Sequence, residues 1–450
     1  MLIHADWALL PEGWARDVAL RVADGRIAAV GPFGAGAAQR VGCLLPAPVN
    51  LHSHTFQRAM AGMTERRSAG QDSFWTWRSL MYRFLDRLTP EDVEAIAAQV
   101  MVEMAEAGYA AVAEFHYLHH QPGGVPYAGI AEMSERIVNA AEETGFGLTL
   151  LPVLYQRGGC DGRALGPGQQ RFGNDPERFV RLWQGAARSV ARLRDGATGV
   201  APHSLRAVNL DGLRLAEAIA PTAPIHIHLA EQVAEVEEVS AALGARPVEW
   251  LLANAAVDGR WCPIHCTQMT AAETEGLARS GAVAGLCPIT EANLGDGIFD
   301  GMRYLGAGGR WGVGSDSNVQ ITLSGELRLL EYSQRLRDRG RAMLADGERS
   351  TGRVLWEGAA QGGAQAAGRA SGAIAVGQWA DLMALDMDNL HLEGRKGDEI
   401  LDAYVFAGND ALVADVWSAG RHIVQGGRHV AREAVAARFR AVMRGLRELA

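Results

Sequence analysis

The sequence predicts an α/β protein: a (β/α)8 TIM barrel with a small β-sandwich domain built from both chain ends. Three observations lead there. Eight apolar, strand-like runs alternate with helical patterns over roughly 270 residues, the count and size of such a barrel. Histidines gather at the ends of those runs, where a barrel places its chemistry. The two ends of the chain have a different texture, extended and punctuated by glycine-rich turns. The boundaries expected are 1–45 plus 365–430 for the small domain, 46–364 for the barrel and 431–450 for a C-terminal helix.

Composition bounds the function. Of 450 residues, 48% are hydrophobic and 21% charged, a globular balance with material for a large core. A net charge of −9 and a pI near 5.8 argue against nucleic acid or an anionic membrane as partner. MLIHADWALLPEGW has no basic n-region, and no window offers the roughly 18 apolar residues of a membrane span. Five scattered cysteines suit a reducing compartment, so a cytoplasmic protein is expected. Lys396 is the single lysine among 43 basic residues. That excludes a Schiff-base lysine, or a carbamylated lysine bridging two metals, from the middle of the chain.

At the N-terminus, Asp24-Gly25 between VALRVA and RIAAVG signals a two-residue hairpin. The first barrel strand is read in LLPAPVN (44–50), running into LHSHTFQRA (51–59). In an extended chain His52 and His54 share a face and can reach one ion. Alone the pair is weak, since about 0.4 such pairs arise by chance at this histidine content. A long excursion, 55–88, carries Gln57, Trp75, Trp77, Arg78 and Tyr82. Thr89-Pro90 supplies an N-cap and a first-turn proline for the helix that follows. Further strands are read at 110–116, 147–154, 199–203, 224–229, 261–266, 282–287 and 310–315. The glycine-rich loop 156–175 lacks the spacing and lysine of a phosphate loop and reads as a mobile flap. GAIAVGQWADLMALD (372–386) and DVWSAGRHIVQGGRHV (415–430) return to extended texture.

Nine of 13 histidines follow proposed strands: His52, His54, His116, His119, His120, His203, His226, His228 and His265. Asp316 follows the last one, where it could ligate a metal or cap the next helix. Of His226 and His228, only the later one reaches the barrel mouth, so His228 is the expected ligand and His226 a core residue. Cys262 and Cys266 face away from His265 in a strand, which argues against a cysteine–histidine zinc site. Glu231 stands beside the expected metal and is the natural proton carrier. Its bland alternative is a solvated glutamate, since Glu235, Glu237 and Glu238 read as an exposed helix face.

H-x-H after strand one, histidines after strands five and six, and aspartate after strand eight resemble the amidohydrolase superfamily. HLAE at strand five, without a strand-four lysine, is similar to its mononuclear aminohydrolase branch. NLHSHTFQRAMAGMTE, SFWTWRSLMY, AEFHYLHH, APHSLRAV, HIHLAEQ and GVGSDSN resemble the formimidoylglutamate deiminase family of bacterial histidine degradation. The resemblance implies that His52, His54, His228 and Asp316 hold one Zn²⁺ per chain. It implies that His265 hydrogen-bonds the metal-bound water, that Glu231 shuttles protons, and that Asp316 also takes part in catalysis. Gln57, Arg78, Tyr117, His203 and Arg206 would bind the glutamate part of a dicarboxylate substrate, and the chain would be a homodimer. A purine or triazine deaminase would share the metal site but has no need of two guanidinium groups. A metal-free binding barrel and a binuclear hydrolase are the other rivals, the latter opposed by the missing lysine.

Overall fold

The computed structural model describes residues 1–34, 38–63, 65, 81–82 and 84–448. The chain starts with β1 (Leu2–Leu10), β2 (Gly13–Ala23), β3 (Arg26–Pro32) and β4 (Gln39–Pro46). Asp24 and Gly25 join β2 to β3 with φ of +53° and +74°, the left-handed pair that a tight hairpin needs.

The middle supplies β5 (Val49–Ser53), β6 (Ala111–His116), β7 (Gly147–Leu154), β8 (Ala197–Thr198), β9 (Ala201–Pro202) and β10 (Ile225–Leu229). It continues with β11 (Trp261–His265), β12 (Val283–Leu286) and β13 (Arg310–Val313). These strands form two parallel sheets, β5 to β8 with β9 on β7, and β10 to β13. Helices follow most strands, which is why nearly every residue of these strands is buried on both faces. Parallel bridges join the sheets at both margins, Ser53 to Asp316 on one side and Val200 to Ile225 on the other. The helix Thr351–Ala366 lies against β5 and β13 with glycine at the contact. A Cβ on Gly362 would sit 1.8 Å from the Trp311 carbonyl oxygen, and one on Gly363 2.7 Å from that of Val49.

The C-terminal part adds β14 (Leu382–Leu385), β15 (Val413–Ser418), β16 (Arg421–Gln425) and β17 (Arg428–His429). With β1 to β4 they make one continuous eight-stranded sheet, so both chain ends build the same small β-domain. The joint is β4, which pairs in parallel with β1 and antiparallel with β14. A separate small core that includes Ile3, Leu20, Leu44, Leu382 and Trp417 packs on this sheet. The helix Arg432–Glu448 packs on the helix Pro90–Glu106, with Arg432 ion-paired to Glu106.

Three local expectations change. LLPAPVN is not one strand: its LLP ends β4 and its VN begins β5, because Pro46 and Pro48 lack the N–H that would carry a ladder through. The strand at 199–203 is two short pieces around Gly199, where a Cβ would meet the Pro224 carbonyl oxygen at 2.7 Å. The loop 156–175 is fastened, not a free flap. Arg171 is buried and donates to the carbonyls of His120 (2.7 Å) and Leu88 (3.1 Å). Its own carbonyl accepts the amides of His119 and His120, which leaves 161–164 exposed at the loop's tip.

Candidate metal centre and active site

The extended backbone of β5 sends His52 and His54 to one side, and β10 brings His228 to meet them. Asp316 arrives from the turn after β13, where its amide donates to the His52 carbonyl and its own carbonyl accepts the His54 amide, each at 2.9 Å. One ligand atom from each of these four buried residues lies within 4.8 Å of the other three. Asp316 sits at φ +45°, an uncommon place for a non-glycine residue. Asn318 holds the turn there, its amide donating to the carbonyls of His54 and Asp316 and to the Ser53 hydroxyl.

The hydrogen bonds show that this set suits a cation. His54 Nδ1 donates to the Phe115 carbonyl (2.9 Å) and His228 Nδ1 to that of His203 (3.1 Å). Both Nε2 atoms then carry lone pairs, and they face each other 3.3 Å apart. Asp316 Oδ1 lies 3.3 Å from His52 Nε2 and 3.2 Å from His54 Nε2, yet neither ring nitrogen of His52 has a hydrogen-bond partner among the described residues. Converging lone pairs beside a carboxylate repel one another unless a metal ion sits between them. Backbone carbonyls that fix the far nitrogen are the usual support of ligating imidazoles. Burial pushes His52 down to about 3 and His228 well below the ordinary histidine range, so both are neutral, as ligands must be.

Beside this cluster, His265 ends β11 at φ +71°. Its Nε2 lies 3.8 Å from Glu231 Oε1 and 3.9 Å from Asp316 Oδ2, while Nδ1 faces Glu291 Oε1 at 3.3 Å. Burial works against its charge, yet Glu231, Glu291 and Asp316 together hold its pKa well above the ordinary value. Glu231 is 5% exposed, and burial raises its carboxyl pKa against the pull of His265 and Arg206. Its solvated alternative is therefore wrong. So is the exposed face expected of its neighbours: Glu235 is 1% exposed and accepts the Glu231 amide at 2.9 Å, fixing the corner that carries Glu231. Of the three, Glu237 alone is fully on the surface.

A cavity opens over the cluster and brings together His54, Gln57, Tyr117, His203, Arg206, His228, Glu231, His265 and Asp316. Gln57 Nε2 donates to the Tyr117 hydroxyl at 2.7 Å. Arg206 is buried, and its Nε finds no hydrogen-bond partner among the described residues. His52 lies behind the cavity wall. Arg78, Trp75 and Trp77 lie outside the described residues. His119 and His120 instead bond to the carbonyls of Val153 and Gly173, and His226 bonds to that of Ala366, the core role expected for it. Cys262 and Cys266 are buried free thiols apart from the four-residue cluster.

The model of the amidohydrolase family matches residues 43–423. The chain belongs to the amidohydrolase family. A second family model, the N-terminal domain of formimidoylglutamate deiminase HutF, matches residues 1–40. This amidohydrolase is 50% identical over 442 residues to a formimidoylglutamate deiminase of Pseudomonas aeruginosa, covering 97% of each chain. The crystal structure of an amidohydrolase from Brucella melitensis superimposes with a TM-score of 0.95 at 48% identity over 99% of each chain. An adenosine deaminase from Xanthomonas campestris with bound zinc, at 22% identity and a TM-score of 0.82 over 99% of this chain and 98% of its own, shares the fold.

The sequence alone did not single out Tyr155 and Phe172, which line the cavity, or the carboxyl groups of Glu291 and Asp296 near His265. Glu291 and Asp296 follow β12, whose end carries no histidine to draw attention.

Proposed function

We propose that this amidohydrolase hydrolyses N-formimidoyl-L-glutamate to N-formyl-L-glutamate and ammonia, a step of histidine degradation. The observation that carries the reading is the buried Arg206 guanidinium, which faces the same cavity as the metal cluster, its Nε without a hydrogen-bond partner among the described residues. A desolvated cation of that kind calls for an anion, and a carboxylate matches its planar fork. The end-to-end identity with a formimidoylglutamate deiminase supports the same substrate.

We take the two parallel sheets, bridged at both margins, as one closed (β/α)8 barrel spanning 46–364. The small domain is then 1–45 plus 365–430, followed by a helix over 431–450. His52, His54, His228 and Asp316 would hold one zinc ion, three imidazoles and a carboxylate being a donor set that zinc favours. When bound, such an ion supplies Lewis acidity and makes water a stronger acid and nucleophile at neutral pH.

The remaining work falls to side chains. His265, held as imidazolium, donates to the attacking water's oxygen and fixes its position. As water adds to the formimino carbon, Glu231 takes one of its protons and Asp316 accepts the other. Glu231 then delivers its proton to the departing nitrogen, Asp316 passes on the second, and the C–N bond breaks to release ammonia. Arg206, His203, Tyr117 and Gln57 orient the glutamate part, together with Arg78 from the long first loop. The protein acts in the cytoplasm as a homodimer, a state that sedimentation at micromolar concentration tests directly.

The decisive experiment supplies purified protein with formimidoyl-glutamate. Ammonia and formyl-glutamate should form in equal amounts. If no ammonia appears from that substrate while a purine or triazine ring is deaminated, the ring-deaminase reading takes its place.

A further inference from the structure

Asp296 is a buried carboxyl that the reaction scheme leaves unused. It is 3% exposed, and it offers a ligand atom within 4.8 Å of those of both Glu231 and His265. Its contacts tie together the loops after β10, β11 and β12. The side-chain amide of Gln232, next to Glu231, donates to its Oδ1. Gln268, three residues past His265, donates its side-chain amide to the Asp296 carbonyl. The Asp296 amide donates to the carbonyl of Glu291 (2.9 Å), whose carboxylate faces His265 Nδ1. Gly297 makes room for this, since at φ +129° a Cβ there would lie 2.7 Å from Gln268 Nε2. Asp296 Oδ2 is buried and lacks a hydrogen-bond partner among the described residues.

We infer that Asp296 is a positioning residue, whose carboxyl fixes the Glu231 side chain at the corner after β10 in the orientation that reaches the leaving nitrogen. An unpartnered oxygen so deeply buried is costly, and Glu231 and His265 are two polar groups close to the Asp296 carboxyl. Two adjacent buried carboxyl groups are stable when one keeps its proton and donates to the other. Burial, and then the neighbouring Glu231, push Asp296 up to about 9, in keeping with the neutral donor form. His265 opposes that rise while Glu291 and Asp316 add to it, and Arg206 and Glu235 face Glu231 from the other side. The inference rests on the functional reading above, because it assigns Asp296 a task in that same proton transfer.

A double-mutant cycle with kinetics on formimidoyl-glutamate tests it. Asp296→Ala should keep its metal and its KM within about threefold while kcat falls about 10- to 100-fold, the usual effect of losing an outer supporting partner. Asp296→Asn retains a donor of the same shape and should stay within about threefold of the parent. In a Glu231→Gln background, Asp296→Ala should change the residual rate by less than about threefold, because the group it positions is already lost. Should Asp296→Ala fail to fold, Gln232→Ala removes the same tether from the other end and should show the same background dependence. An equal kcat loss in both backgrounds, a rise in KM in place of a fall in kcat, or an Asn variant as slow as the Ala variant would overturn the inference. If the parent itself releases no ammonia, the functional reading falls and takes the inference with it. An active parent whose Asp296→Ala variant turns over normally removes the inference alone.

Discussion

At the scale of single residues, the chemistry depends on groups held in states that water would not allow. Glu231 is the clearest. Its carboxyl is raised by burial yet faced by His265 and Arg206, so it can both take and give a proton. Glu231→Gln should bind metal as the parent does and lose about 10²- to 10⁴-fold in kcat, the range of general acid–base groups; near-parental turnover would remove it from the mechanism. Arg206 makes the complementary test. A charge-assisted contact is worth about 1.5–3 kcal/mol, so Arg206→Ala should lower kcat/KM on formimidoyl-glutamate about 10- to 150-fold. Hydrolysis of a neutral formamidine, slow in the parent, should barely change. Equal losses on both substrates would mean that Arg206 supports the site and does not read the carboxylate. The metal set predicts its own stoichiometry. Four buried ligands without a lysine bridge should give one ion per active chain by metal analysis, and two tightly held ions would contradict it.

At the scale of elements, local rules explain the helix after the long first loop. Thr89 Oγ1 accepts the Asp92 amide at 3.2 Å, Asp92 Oδ2 accepts the Thr89 amide at 3.0 Å, and Pro90 opens the first turn. Thr89→Ala should therefore cost about 1 kcal/mol, read as an earlier urea midpoint with activity unchanged. Such signals are legible because they are written within a few residues, as is the Asp24-Gly25 hairpin. Apart from the short pieces β8 and β9, the strands from β6 to β13 were legible as apolar runs, and the metal histidines followed because strand geometry puts alternate residues on one face. What sequence could not supply was the partner at long range. LLPAPVN reads as one apolar run until β4 is seen to pair with β1 and β14, leaving β5 to start afresh. Glu235 looked solvated because helical spacing does not reveal that its carboxylate turns back to accept the Glu231 amide. Loop 156–175 looked loose because nothing local shows that Arg171 would reach carbonyls some 50 to 90 residues earlier in the chain.

At the scale of the whole molecule, the small sheet and the parallel sheets are joined by a buried ionic knot. Arg369 donates to Asp195 Oδ2 at 2.7 Å and to Asp381 Oδ2 at 2.6 Å, and Arg421 on β16 donates to both carboxylate oxygens of Asp195 at 2.8 and 2.9 Å. Asp195 precedes β8, whereas Asp381 leads into β14, so the knot spans the two parts of the chain. Arg369→Ala would leave Asp381 and much of Asp195 buried without their cation, a loss of about 3–5 kcal/mol. The pH dependence has a definite sign. Burial alone would raise the Asp195 carboxyl, but Arg421 and Arg369 outweigh it and lower its pKa below the ordinary value. A carboxyl lowered on folding stabilises the protein above its unfolded pKa of about 3.9 and loses that contribution as pH falls through the lower folded value. The stability gap between parent and Arg369→Ala should thus be full at pH 7 and narrow as the pH drops below about 4. Urea midpoints measured for both proteins across that range check the prediction. Equal midpoints at pH 7 would show that the knot contributes nothing, and a gap that widens in acid would show that Asp195 is not the group that titrates.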